Sequence, residues 1–322
     1  MILLLYVDDI ILTGNSDVLL EKLVQALSKE FAMKQSGNLS YFLGIEAQIN
    51  EDSLTLTQKK YTLELITKAN MLECKPCDTP VVKESRASIH DGVLLENPAE
   101  YKTLVGIKRI LRYLKGTIGL GITLRKGDIS SVKAYTDSDW AGCPDTRRST
   151  SGYAVFMGSS LICWSSKKQP TVSMSSSEAE YKCLSVTASE LEWLSNVFKE
   201  LHISVNLPMH VFCDNTSAIC LAFNLVFHAR AKKIEVQYHL VRDLVLKGFI
   251  KVHHVSSENH IADLFTKGLC SPIFISLLHH LLGDTSNDAV EDLECQHYSC
   301  LACEEELSAD NNSALFSGLA FQ

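Results

Sequence analysis

Between Ser131 and Ser256 the apolar pattern changes period in an order that few folds can accommodate. Three strand-like segments near 131–138, 150–158 and 160–166 come first. A long helix from about 176 to 201 follows, then a strand at 209–214, a short helix after Asn215, a helix near 235–247 and a strand at 249–256. A last helix is read from about 258. In the long helix, Tyr181, Leu184, Ala188, Leu191 and Phe198 recur at helical spacing and mark the face that meets a core. Strands in succession and then alternating with helices give an α/β fold, here a mixed five-stranded sheet with flanking helices. At 322 residues and 46% hydrophobic, the chain can bury such a core and is long enough for two domains.

Four carboxylates fall where an element meets a turn, in the order strand, helix, strand, helix: Asp137, Glu180, Asp214 and Asp263. Two metal ions about 4 Å apart can both activate a water and stabilise a leaving oxygen. Mg²⁺ takes hard oxygen ligands, so a cluster of Asp and Glu without Cys or His suits it. Spacing does not separate Asp137 from Asp139, because alternate residues of a strand share a face. On the helix it does: Glu180 lies at the edge of the apolar stripe, and Glu178 is roughly 200° away around the axis. One such acid alone reads as a solvated strand end. Four in this order, with these neighbours, read as a site.

The segments around them are Tyr135-Thr136-Asp137-Ser138-Asp139-Trp140, Ser175-Ser176-Ser177-Glu178-Ala179-Glu180-Tyr181, Val211-Phe212-Cys213-Asp214-Asn215 and Glu258-Asn259-His260-Ile261-Ala262-Asp263-Leu264. They resemble the ribonuclease H domain of copia-type LTR retrotransposon Pol polyproteins, whose fold has the element order found above. The resemblance implies cleavage of the RNA strand of RNA/DNA hybrids. Asp137, Glu180, Asp214 and Asp263 would be the catalytic residues and the ligands of two Mg²⁺ ions, with Mn²⁺ as a substitute. It selects Asp137, because the family's first Asp follows Tyr-Thr. It supports Glu180 through Glu-x-x-Ala, with Cys183 where Ala is usual, and Asp263 through Asn-x-x-x-Asp, Asn259 sharing its helix face. The histidine-bearing loop that assists product release in cellular ribonucleases H is not evident, because Val255-Ser256-Ser257 shortens that stretch, and His254 and His260 are the candidates for its histidine. His254 and His260 read as strand-edge or helix-surface residues and His239 as a packing residue.

The same resemblance covers the start of the chain. Leu3-Leu4-Leu5-Tyr6-Val7-Asp8-Asp9-Ile10-Ile11-Leu12-Thr13-Gly14 is similar to the metal-binding hairpin of a reverse transcriptase, with Asp8 and Asp9 at its turn. A third palm Asp lies upstream in the family, so Asp8 and Asp9 are expected to be a polymerase remnant without activity. Tyr41-Phe42-Leu43-Gly44-Ile45 resembles the hairpin that grips a primer end, and equally reads as a buried strand. Ser16 is a candidate cap for a helix through Phe31 with a stripe of Leu19, Leu20, Leu23 and Leu27. Tyr101 to Lys115 reads as one basic helix. In the family several dozen residues separate the Tyr-x-x-Leu-Val-Gly that ends here at Gly106 from the Lys-Arg-Ile-Leu-Arg-Tyr-Leu-Lys-Gly that begins at Lys108. The domain map is therefore a palm and thumb remnant at 1–73, a linker and truncated connection at 74–130, a ribonuclease H-like domain at 131–283 and an acidic irregular tail at 284–322.

Charge fits a nucleic-acid partner once it is placed along the chain. Nine acids and no Lys or Arg follow Lys267, so without that tail the formal charge changes from −8 to about +1. Arg147, Arg148, Lys167, Lys168, Arg230, Lys232 and Lys233 are the candidate contacts to an RNA/DNA hybrid, and Lys108-Arg109, Arg112 and Lys115 form a further basic group. Cys74-Lys75-Pro76-Cys77 has zinc spacing without a second pair, and Cys295, His297, Cys300 and Cys303 crowd together in patternless sequence. Neither reads as a metal site. The 11 scattered cysteines, the lack of a signal peptide pattern and the lack of a membrane-spanning run lead to an intracellular expectation, with no membrane partner. The alternative reading is a non-catalytic retroelement relic that at most binds nucleic acid.

Overall fold

A computed structural model describes residues 1–34, 37–83, 105–223 and 235–282. Arg230, Lys232, Lys233 and the acidic tail with its cysteine cluster lie outside the described residues. The chain opens with β1 (Ile2–Tyr6) and β2 (Asp9–Thr13), an antiparallel hairpin in which Tyr6 stands opposite Asp9. Val7 in the turn takes φ +49°, the left-handed conformation that a tight reversal imposes. Ile2, Leu3, Leu4, Leu5 and Ile10 are exposed, and α1 (Asp17–Glu30) buries no residue. The leucine stripe predicted for that helix therefore meets no core among the described residues, and Ser16 makes no side-chain cap.

A second sheet is built from β3 (Tyr41–Phe42), β4 (Ile45–Ile49) and β5 (Ser53–Thr57), followed by α2 (Lys59–Lys68). After α3 (Val105–Gly116), β6 (Gly121–Arg125) completes this sheet by pairing antiparallel with β5, from Ser53 opposite Arg125 to Thr57 opposite Gly121. Arg109 and Arg112 are engaged by the chain itself. Arg109 donates to the carbonyl and hydroxyl of Thr79 at 3.0 and 2.7 Å, and Arg112 to the Lys75 carbonyl at 2.7 Å. The Cys77 thiol donates to the Arg109 carbonyl at 3.3 Å, so the Cys-x-x-Cys stretch is laced to α3.

The third sheet contains β7 (Val132–Asp139), β8 (Thr150–Met157), β9 (Ser160–Lys168), β10 (Met209–Cys213) and β11 (Ile250–His254), in the spatial order β11-β10-β7-β8-β9. The strands joined directly pair antiparallel, and those reached through helices pair parallel. This is the mixed ribonuclease H-like sheet. The long helix α4 (Ser176–Glu200) lays Tyr181, Leu184, Ala188, Leu191 and Phe198 on Val132, Ala134, Val155 and Val211 of one sheet face. Helices α5 (Thr216–Phe223) and α6 (Glu235–Leu246) flank it. On the other face Ala154, Phe156 and Leu161 meet Ile261 and the Leu277 and Leu281 side chains of α7 (Ser271–Leu282).

One predicted element is different. Instead of a helix from about 258, two 3₁₀ turns form at Ser257–Asn259 and Ile261–Phe265, with His260 between them at φ −88° and ψ 87°. His260 leaves helical geometry because its ring turns into the core, where Nε2 lies 3.1 Å from the Thr136 carbonyl. Asn259 and Asp263 thus do not share a helix face.

Candidate active site

Asp137 and Asp139 are separated by what they bond. Asp139 Oδ1 accepts the Thr150 amide across the β7–β8 pair, closing the strand end. Asp137 is fully buried, accepts the Lys267 ammonium on Oδ1 at 3.0 Å and accepts the Thr266 hydroxyl on Oδ2. Asp137 stands opposite Gly152 on β8, and the chain from Ile261 to Thr266 crosses over that glycine. A Cβ there would lie 2.7 Å from Phe265 Cβ and from Thr266 Cγ2, closer than side-chain carbons approach. Only glycine lets the Asp263 turn come down onto β7.

Glu180 and Glu178 are separated by a cap. Ser175 Oγ accepts the Glu178 amide at 3.2 Å while Glu178 Oε2 accepts the Met174 amide at 3.0 Å, a reciprocal arrangement that satisfies orphan donors at the start of α4. Lys182 pairs with Glu178 at 2.9 Å. Glu180 points inward instead, and its Oε1 accepts the Ser138 amide at 3.1 Å. Gln169 braces this junction. Its Nε2 lies 3.2 Å from Ser138 Oγ, 3.0 Å from Ser151 Oγ and 2.9 Å from the Ala179 carbonyl, and its Oε1 accepts Ser173 Oγ at 2.9 Å. Cys183, where the family has Ala, is buried, and its thiol donates to the Gly152 carbonyl at 3.4 Å.

Asp214 follows the last residue of β10, and its neighbour Asn215 caps α5 by accepting the Ala218 amide at 2.9 Å. Ligand atoms of Asp137, Asp214, His260 and Asp263 all lie within 4.8 Å of one another, and so do those of Glu180, Cys213 and Asp214. The four predicted carboxylates therefore meet at one place. His260, expected at the surface, is instead buried beneath them. Its Nε2 donates to Thr136, which leaves Nδ1 as the lone-pair nitrogen, without a partner among the described residues. His239 is exposed on α6 and His254 at the end of β11.

Crowding sets the protonation of the group. Burial, then the Asp137 and Asp214 charges, push Glu180 up to about 9, and burial with Asp137 pushes Asp263 up to about 6. Burial alone would lower Lys267, but the Asp137 and Asp263 carboxylates outweigh it and hold the ammonium above its ordinary value. Burial lowers His260 and raises Cys213, so a neutral imidazole and a protonated thiol adjoin the carboxylates. The donors left for a cation are hard carboxylate oxygens, which are compatible with a divalent ion such as Mg²⁺ or Mn²⁺.

Arg147 and Arg148 lie in the loop between β7 and β8, and Lys167 and Lys168 end β9. Register places Asp139 opposite Thr150 and Thr150 opposite Lys168, so these cations flank the strand end that carries the carboxylates. Arg147 and both lysines are exposed; Arg148 is half-buried. Asp8 and Asp9 are exposed at the hairpin, and among the described residues no further acid or histidine joins them in a ligand cluster. Sequence reading missed Lys267, Thr266 and Gln169. The spacing of Lys267 four residues after Asp263 was the available signal for the first, and Ser175-x-x-Glu178 was a legible capping box. Nothing local marked Gln169.

The strand order and the converging carboxylates define a ribonuclease H-like domain, and the opening residues carry a second signature: 1–83 match the family described as reverse transcriptase (RNA-dependent DNA polymerase). The chain belongs to the copia-type retrotransposon Pol family. It is 41% identical over 305 residues to the retrovirus-related Pol polyprotein from transposon RE2 of Arabidopsis thaliana, covering 84% of this chain and 21% of that one. An uncharacterized mitochondrial protein of the same plant is 41% identical over 228 residues, covering 61% of this chain and 95% of that protein. The Pol polyprotein from transposon TNT 1-94 of Nicotiana tabacum is 34% identical over 329 residues, covering 89% and 24%. The chain thus spans about a fifth to a quarter of the Pol polyproteins it matches. Among solved structures, the N-terminal RNase H domain of rv2228c from Mycobacterium tuberculosis is 15% identical with a TM-score of 0.32, covering 46% of this chain and 96% of that one. LC11-RNase H1 in complex with an RNA/DNA hybrid is 13% identical with a TM-score of 0.33, covering 42% and 94%. These two likenesses add nothing to the strand order, which defines the fold by itself.

Proposed function

We propose that this chain is a fragment of a retrotransposon reverse transcriptase and ribonuclease H, and that its 131–283 region cleaves the RNA strand of RNA/DNA hybrids. The observation that carries this is the meeting of Asp137, Glu180, Asp214 and Asp263, drawn from four separate elements, at the basic end of the sheet. Divalent ions held by these carboxylates would supply a nucleophilic water and stabilise the leaving 3′ oxygen. The Ser138 amide and the Gln169 network fix Glu180, and the buried, neutral His260 fixes the backbone that presents Asp137. Arg147, Arg148, Lys167 and Lys168 bind phosphates of the hybrid.

The 1–73 region is a palm and thumb remnant in this reading, joined by the connection at 74–130, and the 284–322 tail is an appendage. Asp8 and Asp9 sit exposed at the turn of the remnant's metal-binding hairpin. The test uses the purified full chain and a labelled RNA strand paired with DNA. The expected result is Mg²⁺- or Mn²⁺-dependent cleavage of that strand, stopped by chelator, with no cleavage of free RNA or duplex DNA. A folded protein that leaves the hybrid intact with both metals would instead be a nucleic-acid-binding relic.

A further inference from the structure

Lys267 contacts three of the four carboxylates at once. Its Nζ lies 2.8 Å from Asp263 Oδ1, 3.0 Å from Asp137 Oδ1 and 3.8 Å from Asp214 Oδ2. Its main chain is locked by the turn, the Lys267 amide donating to the Asp263 carbonyl at 2.9 Å. The side chain is nevertheless 34% exposed, unlike the Asp137 and Asp263 side chains it touches. Both oxygens of Asp137 are engaged, Oδ1 by Lys267 and Oδ2 by Thr266.

We propose that Lys267 is a positioning residue, the internal counter-cation of this cluster, which competes with the divalent ion for Asp137 and Asp263 and so sets metal affinity. The proposal rests on the metal-dependent nuclease reading above. Four acids this close repel one another, and one ammonium among them lowers the cost of assembling the site before a metal arrives. An ion ligated by Asp137 would take an oxygen that Lys267 or Thr266 already engages, and at either oxygen it would lie close to the ammonium. Two cations a few ångströms apart repel strongly in a partly buried place, so displacement wins. Lysine suits that exchange, being a compact charge on a flexible stem with an open path to solvent.

The test is the Mn²⁺ affinity of the full chain, read from the electron paramagnetic resonance of free Mn²⁺, together with thermal melting in chelator. Lys267→Met and Lys267→Gln should each bind Mn²⁺ more tightly, by roughly tenfold or more, the scale on which groups bonded to metal ligands shift affinity. Both should melt earlier than wild type in chelator, and the deficit should close as Mn²⁺ saturates. Lys267→Arg keeps the charge and should stay near wild type. If a variant does not fold in chelator, its refolding titrated with Mn²⁺ reads the same affinity. Unchanged or weaker Mn²⁺ binding by both uncharged variants overturns this inference while leaving the nuclease reading intact, provided wild type binds Mn²⁺ and Asp137→Asn does not. If wild type shows no Asp137-dependent binding, both fail.

Discussion

Glu178 and Glu180 lie two residues apart on α4 and close different circuits, Glu178 accepting the Met174 amide at 3.0 Å at the helix start and Glu180 the Ser138 amide at 3.1 Å in the core. Glu178→Gln keeps an acceptor for Met174 and loses only the Lys182 pair, a change of under about 1 kcal/mol. Hybrid cleavage should therefore be unaffected. Glu180→Gln should cost more than the roughly 10–100-fold typical of groups that only support a metal ligand. Single-turnover cleavage assays on both variants check this, and a dead Glu178→Gln beside an active Glu180→Gln would reverse the assignment.

Glu180 also makes stability depend on pH. Its folded pKa, about 9, lies above its unfolded value near 4.3. The unfolded chain gives up this proton first, so stability falls as pH rises through that window and levels off above it. In chelator the wild-type melting temperature should decline between about pH 5 and pH 9, and Asp263, also raised, adds to the lower part of the fall. Glu180→Gln should flatten the profile, and Mg²⁺ should restore most stability at the alkaline end. Melts across pH with and without Mg²⁺ decide it. Parallel profiles for wild type and variant would remove Glu180 as the cause.

Much of the nuclease-like half was legible because its signals are local. The stripe from Tyr181 to Phe198 needed only helical spacing, and all of it is buried. Asp137, Glu180 and Asp214 could be picked out because each lies in or just after an element whose type the pattern gives, whereas the helix read for Asp263 is a pair of 3₁₀ turns. What was not legible depends on contacts between distant residues. No sequence pattern says that Lys267 will reach Asp137, or that β6 will pair with β5 across the connection. His260 looked like a surface residue because its neighbours suggested a helix, and the Thr136 carbonyl that captures its ring lies 124 residues earlier. In α1 the spacing was right, but Leu20, Leu23 and Leu27 are only half-buried and Leu19 is exposed.

Gly152→Ala should damage the site from the opposite strand. The added methyl must push away the turn that carries Asp263, Thr266 and Lys267. Overpacking of this kind costs about 1–3 kcal/mol. Cleavage should slow while the KM for hybrid stays nearly constant, because the methyl meets Phe265, Thr266 and Ala262 and none of Arg147, Lys167 and Lys168. Calorimetry and steady-state kinetics on the one variant test both parts; wild-type rates would show that the turn tolerates the shift.

Neutralising Arg147, Lys167 and Lys168 together should do the reverse, raising KM with kcat largely kept. For every phosphate that the variant no longer neutralises, the slope of log affinity against log salt should become shallower by about 0.9. Binding isotherms at several salt concentrations, with a catalytically inactive Asp214→Asn background, give that slope directly. An unchanged slope would place the hybrid elsewhere on the surface.

Asp137 is held by Thr266 and Lys267, partners 129 and 130 residues further along. During synthesis the five strands and α4 can all emerge while the turn that completes the cluster is still unmade. Long-range closures of this kind come late and slowly. A nascent chain thus holds three of the four carboxylates in a finished sheet while the fourth, with the hydroxyl and ammonium that hold Asp137, is still to come.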